Sequence, residues 1–193
     1  MSNLTLIIIT GLPCTGKTTF GKNLSEEIGF PFISKDNIRE ILFDNFGWSD
    51  QYIQKRISKA NHDLLYYFVE QNLKVDQSVI IENVFKPEKA ENRINKLKKR
   101  YRFNIIQIRL IAKGQTLYSR FKERANSKRH PGHGDIERLE EWKSYLMRGM
   151  AEPLQVGGDL IDIDTNDFEN VDFETAFNTI NRHLKNQDLN AIQ

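Results

Sequence analysis

The chain has 193 residues and a formal net charge of +2, and 39% of its residues are hydrophobic and 28% are charged. This composition is typical of one globular domain with a real core, and it gives no global argument for a nucleic-acid coat or a membrane surface. A single cysteine excludes a disulfide framework, and the apolar run at 6–9 is too short to span a bilayer. We therefore expect one cytoplasmic domain over residues 1–193, monomeric or homodimeric, with no membrane contact.

The first predicted element is a buried strand that leads into a phosphate-binding loop. An almost continuous apolar run ends at Ile9, as in a strand of a parallel sheet. Gly11-x-x-x-x-Gly16-Lys17-Thr18 follows and matches the phosphate-loop pattern. The glycines let backbone N–H groups turn toward a polyphosphate, Lys17 can reach its outer phosphates, and the Thr18 hydroxyl can bind Mg²⁺. The residues predicted to bind the nucleotide are Gly11, Pro13, Cys14, Thr15, Gly16, Lys17, Thr18 and Thr19, with Arg120 and Arg124 from later in the chain. We interpret Cys14 as a small side chain at a variable loop position rather than a catalytic thiol.

Strands and helices alternate through the rest of the chain. The predicted helices cover 17–28, 37–43, 50–73, 87–101, 114–127, 135–150 and 172–184, and the later strands cover 30–34, 78–82, 103–112 and 160–164. The buried stripe predicted for the long helix consists of Ile53, Ile57, Ala60, Leu64 and Phe68. This alternation predicts an α/β fold with a parallel sheet of about five strands between two layers of helices. Ligands then lie outside the carboxyl ends of the strands.

The segment after the second predicted strand carries a carboxylate and a guanidinium on one helix face. Asp36 and Arg39 are three residues apart at the start of a helix. One interpretation makes Asp36 the helix N-cap and Arg39 an exposed arginine. We favour the other, in which Asp36 accepts the proton of an attacking hydroxyl and Arg39 binds the acceptor.

The third predicted strand ends in Glu82, and Asn83 follows it. Phosphate-loop proteins usually have an acid at this point that holds Mg²⁺ through water, so we assign Glu82 to that role and Asn83 to the acceptor. A surface carboxylate is the alternative for Glu82. The basic helix at 93–102 is interpreted as a solvated outer face, with nucleic-acid contact as the less favoured alternative.

A lid segment (residues 114–135) is predicted late in the chain. Residues 113–130 contain six basic residues and a single acid, Glu123; the basic residues are Lys113, Arg120, Lys122, Arg124, Lys128 and Arg129. A mobile lid would bring such arginines onto a transferring phosphoryl group, whereas a solvated basic face is the alternative. His130 and His133 are expected to contact ligand or solvent rather than a metal, because no further ligand cluster accompanies them.

Taken together, the phosphate loop, Ser-x-Asp-x-x-Arg, the acidic strand end and Arg-x-x-x-Arg before Arg-His-Pro-Gly-His resemble the small P-loop kinases. The most similar group is the predicted kinases related to polynucleotide 5′-hydroxyl kinase, the zeta-type toxins and chloramphenicol phosphotransferase, over about residues 1–165. The resemblance implies the nucleoside-kinase strand order 2-3-1-4-5, with ATP and Mg²⁺ as cofactors. It implies ATP phosphate and Mg²⁺ binding by Lys17 and Thr18, the general base Asp36, acceptor orientation by Arg39, and a lid with Arg124 and Arg129. These relatives commonly have Asp where Glu82 stands.

We therefore expect an ATP-dependent kinase that phosphorylates a hydroxyl of a small-molecule acceptor. A polynucleotide 5′-hydroxyl kinase and a zeta-type nucleotide-sugar kinase are the alternatives within the class. A nucleotide-binding regulatory module without phosphoryl transfer is the more distant one. A GTPase is disfavoured because the guanine-binding Asn-Lys-x-Asp is absent, and because Asp44-Asn45-Phe46-Gly47, which matches Asp-x-x-Gly, is predicted to end a helix.

Overall fold

The computed structural model describes residues 4–126, 129–135, 138–171 and 173–190. Its five parallel strands form one sheet in the order β2-β3-β1-β4-β5, which confirms the predicted order. The strands are β1 Thr5–Gly11, β2 Phe32–Ser34, β3 Val79–Glu82, β4 Asn104–Ile111 and β5 Asp159–Asp164.

Helices connect and cover these strands. They are α1 Lys17–Ile28, α2 Lys35–Phe46, α3 Gln51–Leu73, α4 Pro87–Lys98, α5 Gly114–Ala125, α6 Leu139–Leu146 and α7 Phe173–Asn190, with a 3-10 turn at Pro131–His133. Most predicted bounds are confirmed to within three residues, but α6 is shorter than the predicted 135–150, and α7 continues six residues beyond its predicted end at Leu184. The predicted helix end at Ser127, the basic residue Lys128 and the predicted helix start at Asp172 lie outside the described residues. Among the described helices, we find none with the length and apolar character needed to cross a membrane.

The core has two halves, one on each face of the sheet. Successive residues of β1 point to opposite faces because side chains alternate along a strand. Leu6 and Ile8 pack with α3 and α4, whereas Ile7 and Ile9 pack with α1 and α7. All seven residues of β1 are buried, as expected for the central strand of a parallel sheet covered on both faces. This arrangement confirms the predicted three layers.

The buried stripe predicted for α3 is confirmed at Ile57 and at Phe68, which packs partly buried against the core, but it is wrong at Ala60 and Leu64. Its buried residues are Ile57, Asn61, Leu65, Tyr66, Val69 and Leu73. Leu64, which was assigned to the stripe, is 43% exposed. The true stripe is a row with four-residue spacing that includes a polar Asn61, and that polar residue conceals the row in a search for apolar periodicity.

A buried glutamine of β4 fixes the segment that precedes β5. Gln107 is only 3% exposed. Its Nε2 donates to the carbonyl oxygens of Leu154 at 3.0 Å and Gly157 at 3.3 Å, and its Oε1 accepts from the Leu154 N–H at 2.9 Å. One side chain therefore satisfies backbone groups of the loop that would otherwise be buried without partners.

We predict that Gln107→Leu lowers the free energy of unfolding by about 2–4 kcal/mol, because it leaves the Leu154 N–H and carbonyl without partners. Urea denaturation measures this change. Gln115→Leu is the matched control, since Gln115 is an exposed residue of α5, and we expect it to change stability by no more than about 0.5 kcal/mol. Equal stability of the two variants would show that the Gln107 hydrogen bonds do not hold this segment.

Candidate active site

The phosphate loop joins β1 to α1 in a tight turn. The Leu12 carbonyl accepts hydrogen bonds from the Thr15 hydroxyl at 3.0 Å and from Lys17 Nζ at 2.9 Å. Gly16 is the N-cap of α1 with φ 84°, a left-handed conformation that glycine adopts without a Cβ penalty. A Cβ on Gly16 would lie 2.8 Å from Cε1 of Phe168, so a larger residue there would displace this partly exposed ring. The N-terminal N–H groups of α1 are therefore directed into the loop, where an anion binds favourably.

An open cavity of about 1470 Å³ lies above this loop. Most of the predicted nucleotide-binding residues line it; they are Pro13, Cys14, Gly16, Lys17, Thr18, Thr19, Arg120 and Arg124. Gly11 and Thr15 do not line the cavity. Both are buried within the loop, where they shape the turn. The predicted acceptor and metal residues share the same cavity; they are Asp36, Arg39, Glu82 and Asn83, together with Arg129. The cavity thus brings together residues from every motif identified in the sequence.

Glu82 lies at the centre of a small hydroxyl cluster. Its Oε2 accepts from the Thr18 hydroxyl at 3.0 Å and from the Ser34 hydroxyl at 2.6 Å. Glu82 is 3% exposed, so the alternative of a surface carboxylate is wrong. Sequence reasoning missed the partner Ser34, although Ser34 and Glu82 stand opposite each other at the ends of paired strands.

The Thr18–Glu82 pair has the oxygen chemistry that Mg²⁺ prefers. One hydroxyl and one carboxylate are fewer ligands than a divalent cation takes, so phosphate oxygens and water would have to supply the others. Within the described ranges there is no cluster of three or more His, Cys, Asp or Glu side chains that could hold a metal alone. The arrangement therefore fits a cation that arrives with a polyphosphate.

Lys17 is a buried cation in the same cluster. Burial lowers the pKa of its ammonium, and the nearby Glu82 carboxylate opposes that shift. A lysine in this position is a point charge with few competing waters, which strengthens its attraction for a phosphate oxygen.

The interpretation of Asp36 as an N-cap is wrong. β2 runs into α2 without a loop, so the helix begins at Lys35 and Ser34 takes the N-cap position. Asp36 therefore lies inside the first turn, where its Oδ2 accepts from Nη2 of Arg129 at 3.0 Å. Burial raises the pKa of Asp36, but the charges of His133, Arg129 and Lys35 lower it by a larger amount. The pKa of Asp36 therefore lies below its ordinary value. The carboxylate is ionised at neutral pH.

Arg129 connects the lid segment to α2. Besides Asp36, its guanidinium donates to Asp135 at 2.5 Å and lies 3.1 Å from Nδ1 of His133. Asp135 also pairs with Arg124 at 3.2 Å. Only 30% of the Arg124 side chain and 18% of the Arg129 side chain are exposed, so neither fits the alternative of a solvated basic face. Sequence reasoning missed Asp135, whose position just after the His-Pro-Gly-His-Gly run was the available signal.

Both loop histidines pair with acids of α2, and His133 also lines the cavity. Nε2 of His133 lies 2.7 Å from Oε1 of Glu40, and Nε2 of His130 lies 3.1 Å from Oδ1 of Asp44. The His130 ring stacks on Phe43 at a centroid distance of 5.4 Å. These contacts dock the described part of the lid segment onto the same helix that carries Asp36.

Arg120 belongs to a different part of the cavity from Arg129. It donates to the backbone carbonyls of Thr165 at 2.7 Å and Asn166 at 2.8 Å, and its guanidinium lies 3.6 Å from the centroid of the Phe168 ring. Because Phe168 also contacts Gly16, Arg120 borders the phosphate-loop end. No motif or periodicity in the sequence pointed to Phe168.

The two remaining acceptor candidates lie on the cavity wall. Arg39 packs its guanidinium over the Phe43 ring at 4.9 Å, and its Nε has no hydrogen-bond partner in the described part of the chain. Asn83 is buried, and its backbone N–H donates to the Ile9 carbonyl at 3.3 Å.

The basic side chains at 93–102 are exposed, as predicted for a solvated face, and two of them also border the open cavity. Arg93 and Lys96 line the cavity, while Lys99 and Arg100 are exposed beyond the end of α4. Sequence reasoning also missed several cations that line the same wall; they are Lys35, Lys55, Lys59, Lys86 and Lys89. They come from three separate helices, so no local run revealed them.

Comparisons with known proteins agree with this geometry. A family model described as an AAA domain matches residues 6–148. No curated protein matches the chain. Among solved structures, one described as a "putative kinase" from Chloroflexus aurantiacus is 34% identical, with 97% of this chain and 99% of that chain covered and a TM-score of 0.83.

Two further solved structures share the fold at low sequence identity. A gluconokinase from Sinorhizobium meliloti is 12% identical with a TM-score of 0.57, covering 98% of this chain and 97% of its own. A sugar kinase from Janibacter sp. HTCC2649 is also 12% identical with a TM-score of 0.57, covering 95% of each chain.

We predict that Cys14 is a slow thiol. Burial raises its pKa, although Arg124 and Lys17 oppose the shift, so little thiolate is available at neutral pH. Alkylation by iodoacetamide should be about tenfold slower in the folded chain than in the same chain unfolded in urea, because the thiolate is the reactive form. An equal or faster rate in the folded chain would instead reveal an activated cysteine in the phosphate loop.

Proposed function

The chain belongs to the AAA-domain family of small P-loop kinases, and on that premise we propose that it transfers the γ-phosphoryl group of ATP to a hydroxyl of a small-molecule acceptor. The observation that carries this proposal is the convergence of Lys17, Glu82 and Asp36 on one cavity. Its volume exceeds the roughly 300–1,000 Å³ typical of a single small-ligand site, which supports two ligands side by side.

The phosphates of ATP would lie in the loop between β1 and α1. Backbone N–H groups and the N-terminus of α1 favour negative charge there, and the Lys17 ammonium would exchange the Leu12 carbonyl for a phosphate oxygen. Thr18 would hold Mg²⁺ directly and Glu82 through water, and the ion neutralises charge on the phosphates. The adenine ring of ATP would lie toward Arg120 and Phe168, at the border of the loop.

Asp36 is the proposed general base. The acceptor oxygen forms a bond to the γ-phosphorus while the bond from that phosphorus to the ADP oxygen breaks, and the hydroxyl proton passes to the Asp36 carboxylate. The lowered pKa of Asp36 keeps this carboxylate ionised and able to accept the hydroxyl hydrogen bond. Arg39, one turn further along α2, would orient the acceptor.

Arg124 and Arg129 are the proposed lid cations. Charge on the transferring phosphoryl group is best stabilised by donors that are already in position and shielded from water. Asp135 holds both guanidiniums near the cavity, which supports such preorganisation. Arg129 also touches Asp36, so the lid and the base would be positioned together.

We predict that Asp36→Asn lowers turnover by about a hundredfold or more, the usual contribution of a positioned base, with little change in melting temperature. The measurement is the initial rate of acceptor-dependent ADP release at saturating ATP. Asp44→Asn is the matched control, because Asp44 lies on the same helix and also pairs with a lid residue. We expect it to stay within about twofold of the unmodified chain, as an exposed pair contributes little.

A second variant separates the base from a role in holding the lid. If Asp36 only positioned Arg129, Asp36→Asn would cause no further loss in an Arg129→Ala background. We expect a further loss of about tenfold or more, because proton acceptance is independent of that contact. Turnover of Asp36→Asn near that of the unmodified chain would contradict the assignment of the base, and ADP release that ignores every acceptor would contradict the kinase.

A further inference from the structure

The wall of the cavity beside Asp36 carries an excess of positive charge. Lysines from three helices line it: Lys35 at the start of α2, Lys55 and Lys59 on α3, and Lys86 and Lys89 around the start of α4. None of them forms an ion pair within 4 Å with an acid in the described part of the chain. A concave surface with one sign of charge concentrates ligands of the opposite sign.

His62 lines the same wall as these lysines. The ring is half-buried on α3. Burial, together with the charges of Lys35, Lys89 and Lys86, lowers the pKa of His62 to about 4, although Asp63 opposes the shift. Three lysines from two different helices therefore act on one side chain, which a scattered set of solvated lysines would not do.

Further along α4 the cavity wall carries two more cations, Arg93 and Lys96. Arg93 forms an ion pair with Asp63 across the gap to α3. A single-stranded nucleic acid is usually bound by a basic groove with aromatic faces for its bases. Two aromatic residues that line the cavity with these lysines, Tyr66 and Phe85, are only 7% and 6% exposed. The region therefore suits one or two phosphates better than a polynucleotide.

We propose that the acceptor is a small hydroxyl compound that already carries one or two phosphate groups, which Lys35, Lys86 and Lys89 bind while the hydroxyl meets Asp36. Lys35 and Asp36 are consecutive residues in the first turn of α2. The proposed phosphate site is therefore next to the proposed hydroxyl site. The existing phosphate stays unchanged; the hydroxyl gains the γ-phosphoryl group and its proton passes to Asp36. This inference rests on the proposed kinase activity for its chemistry and on the lysines for its specificity.

The first test measures phosphate binding without phosphoryl transfer. The pKa of His62 is followed by NMR, with Mg²⁺ and a non-hydrolysable ATP analogue filling the phosphate loop, before and after addition of inorganic phosphate. We expect phosphate to raise the pKa of His62 by about one unit or more, because a bound anion offsets the lysine charges. A pKa that does not move would overturn the proposal.

Charge-matched variants show where the phosphate binds. Lys86→Gln with Lys89→Gln removes two charges from the wall, and Lys22→Gln with Lys74→Gln removes two exposed charges elsewhere. In the first double variant the pKa of His62 should start above that of the unmodified chain and should no longer respond to phosphate. The control pair should behave as the unmodified chain, and a loss of response in both pairs would overturn the proposed site.

The second test compares acceptors in matched pairs: ribose with ribose 5-phosphate, glycerol with glycerol 3-phosphate, and thymidine with thymidine 3′-monophosphate. We expect kcat/KM to be about tenfold or more higher for the phosphorylated member, mainly through KM, since the phosphate supplies binding away from the reacting hydroxyl. The Lys86→Gln/Lys89→Gln pair should remove this preference. Equal or better use of the neutral members would overturn the proposal.

Two further outcomes distinguish a phosphorylated small acceptor from a nucleic-acid acceptor and from a chain without kinase activity. An octathymidylate with a free 5′-hydroxyl, used better than thymidine 3′-monophosphate, would overturn the small acceptor in favour of a nucleic-acid end. If no acceptor is phosphorylated while phosphate still shifts the pKa of His62, the kinase assignment fails and the acceptor class fails with it. In that outcome phosphate still binds at the lysines although no acceptor is phosphorylated. Failure of the kinase assignment is thereby distinguished from failure of the phosphate site.

Discussion

The carboxylate of Glu82 joins the three segments from which the site is built. It accepts hydrogen bonds from Thr18 at the start of α1 and Ser34 at the end of β2, while it ends β3 itself. The burial of this carboxylate is tolerable because both hydroxyls donate to it. Since Asp36 follows Ser34 by two residues without an intervening loop, the position of the proposed base relative to the phosphate loop depends on the same contact.

The described part of the lid segment is bound to the helix that carries Asp36. Arg129 contacts Asp36, His133 contacts Glu40 and His130 contacts Asp44, so successive turns of α2 each meet one lid residue. A hydroxyl that reaches Asp36 therefore also meets the Arg129 guanidinium. This coupling gives a physical reason for the lid arginines and the proposed base to act together.

Local patterns at the strand ends allowed the phosphate loop and the polar residues that follow the strands to be predicted, and the sheet order was implied by the resemblance to the small P-loop kinases. Three features required the fold itself. The stripe of α3 was partly misassigned because a buried Asn61 interrupts its apolar row, and Asp36 was considered as a cap because the direct passage from β2 into α2 leaves no signal. The lysines around His62 come from separate helices, and only their juxtaposition distinguishes them from solvated side chains.

Phosphoryl transfer from ATP held in the loop at Lys17 is the step on which the other proposed roles depend. The direct measurement is transfer of label from [γ-³²P]ATP to a panel of hydroxyl compounds that includes phosphorylated sugars and an oligonucleotide, with the unmodified chain and Lys17→Ala compared in parallel. We expect labelled product from at least one acceptor with the unmodified chain, and a loss of about a thousandfold or more with Lys17→Ala, because clamping of the phosphates is most of what such an enzyme contributes. Full transfer by a folded Lys17→Ala variant, or label that leaves ATP only as inorganic phosphate with every acceptor, would contradict the account.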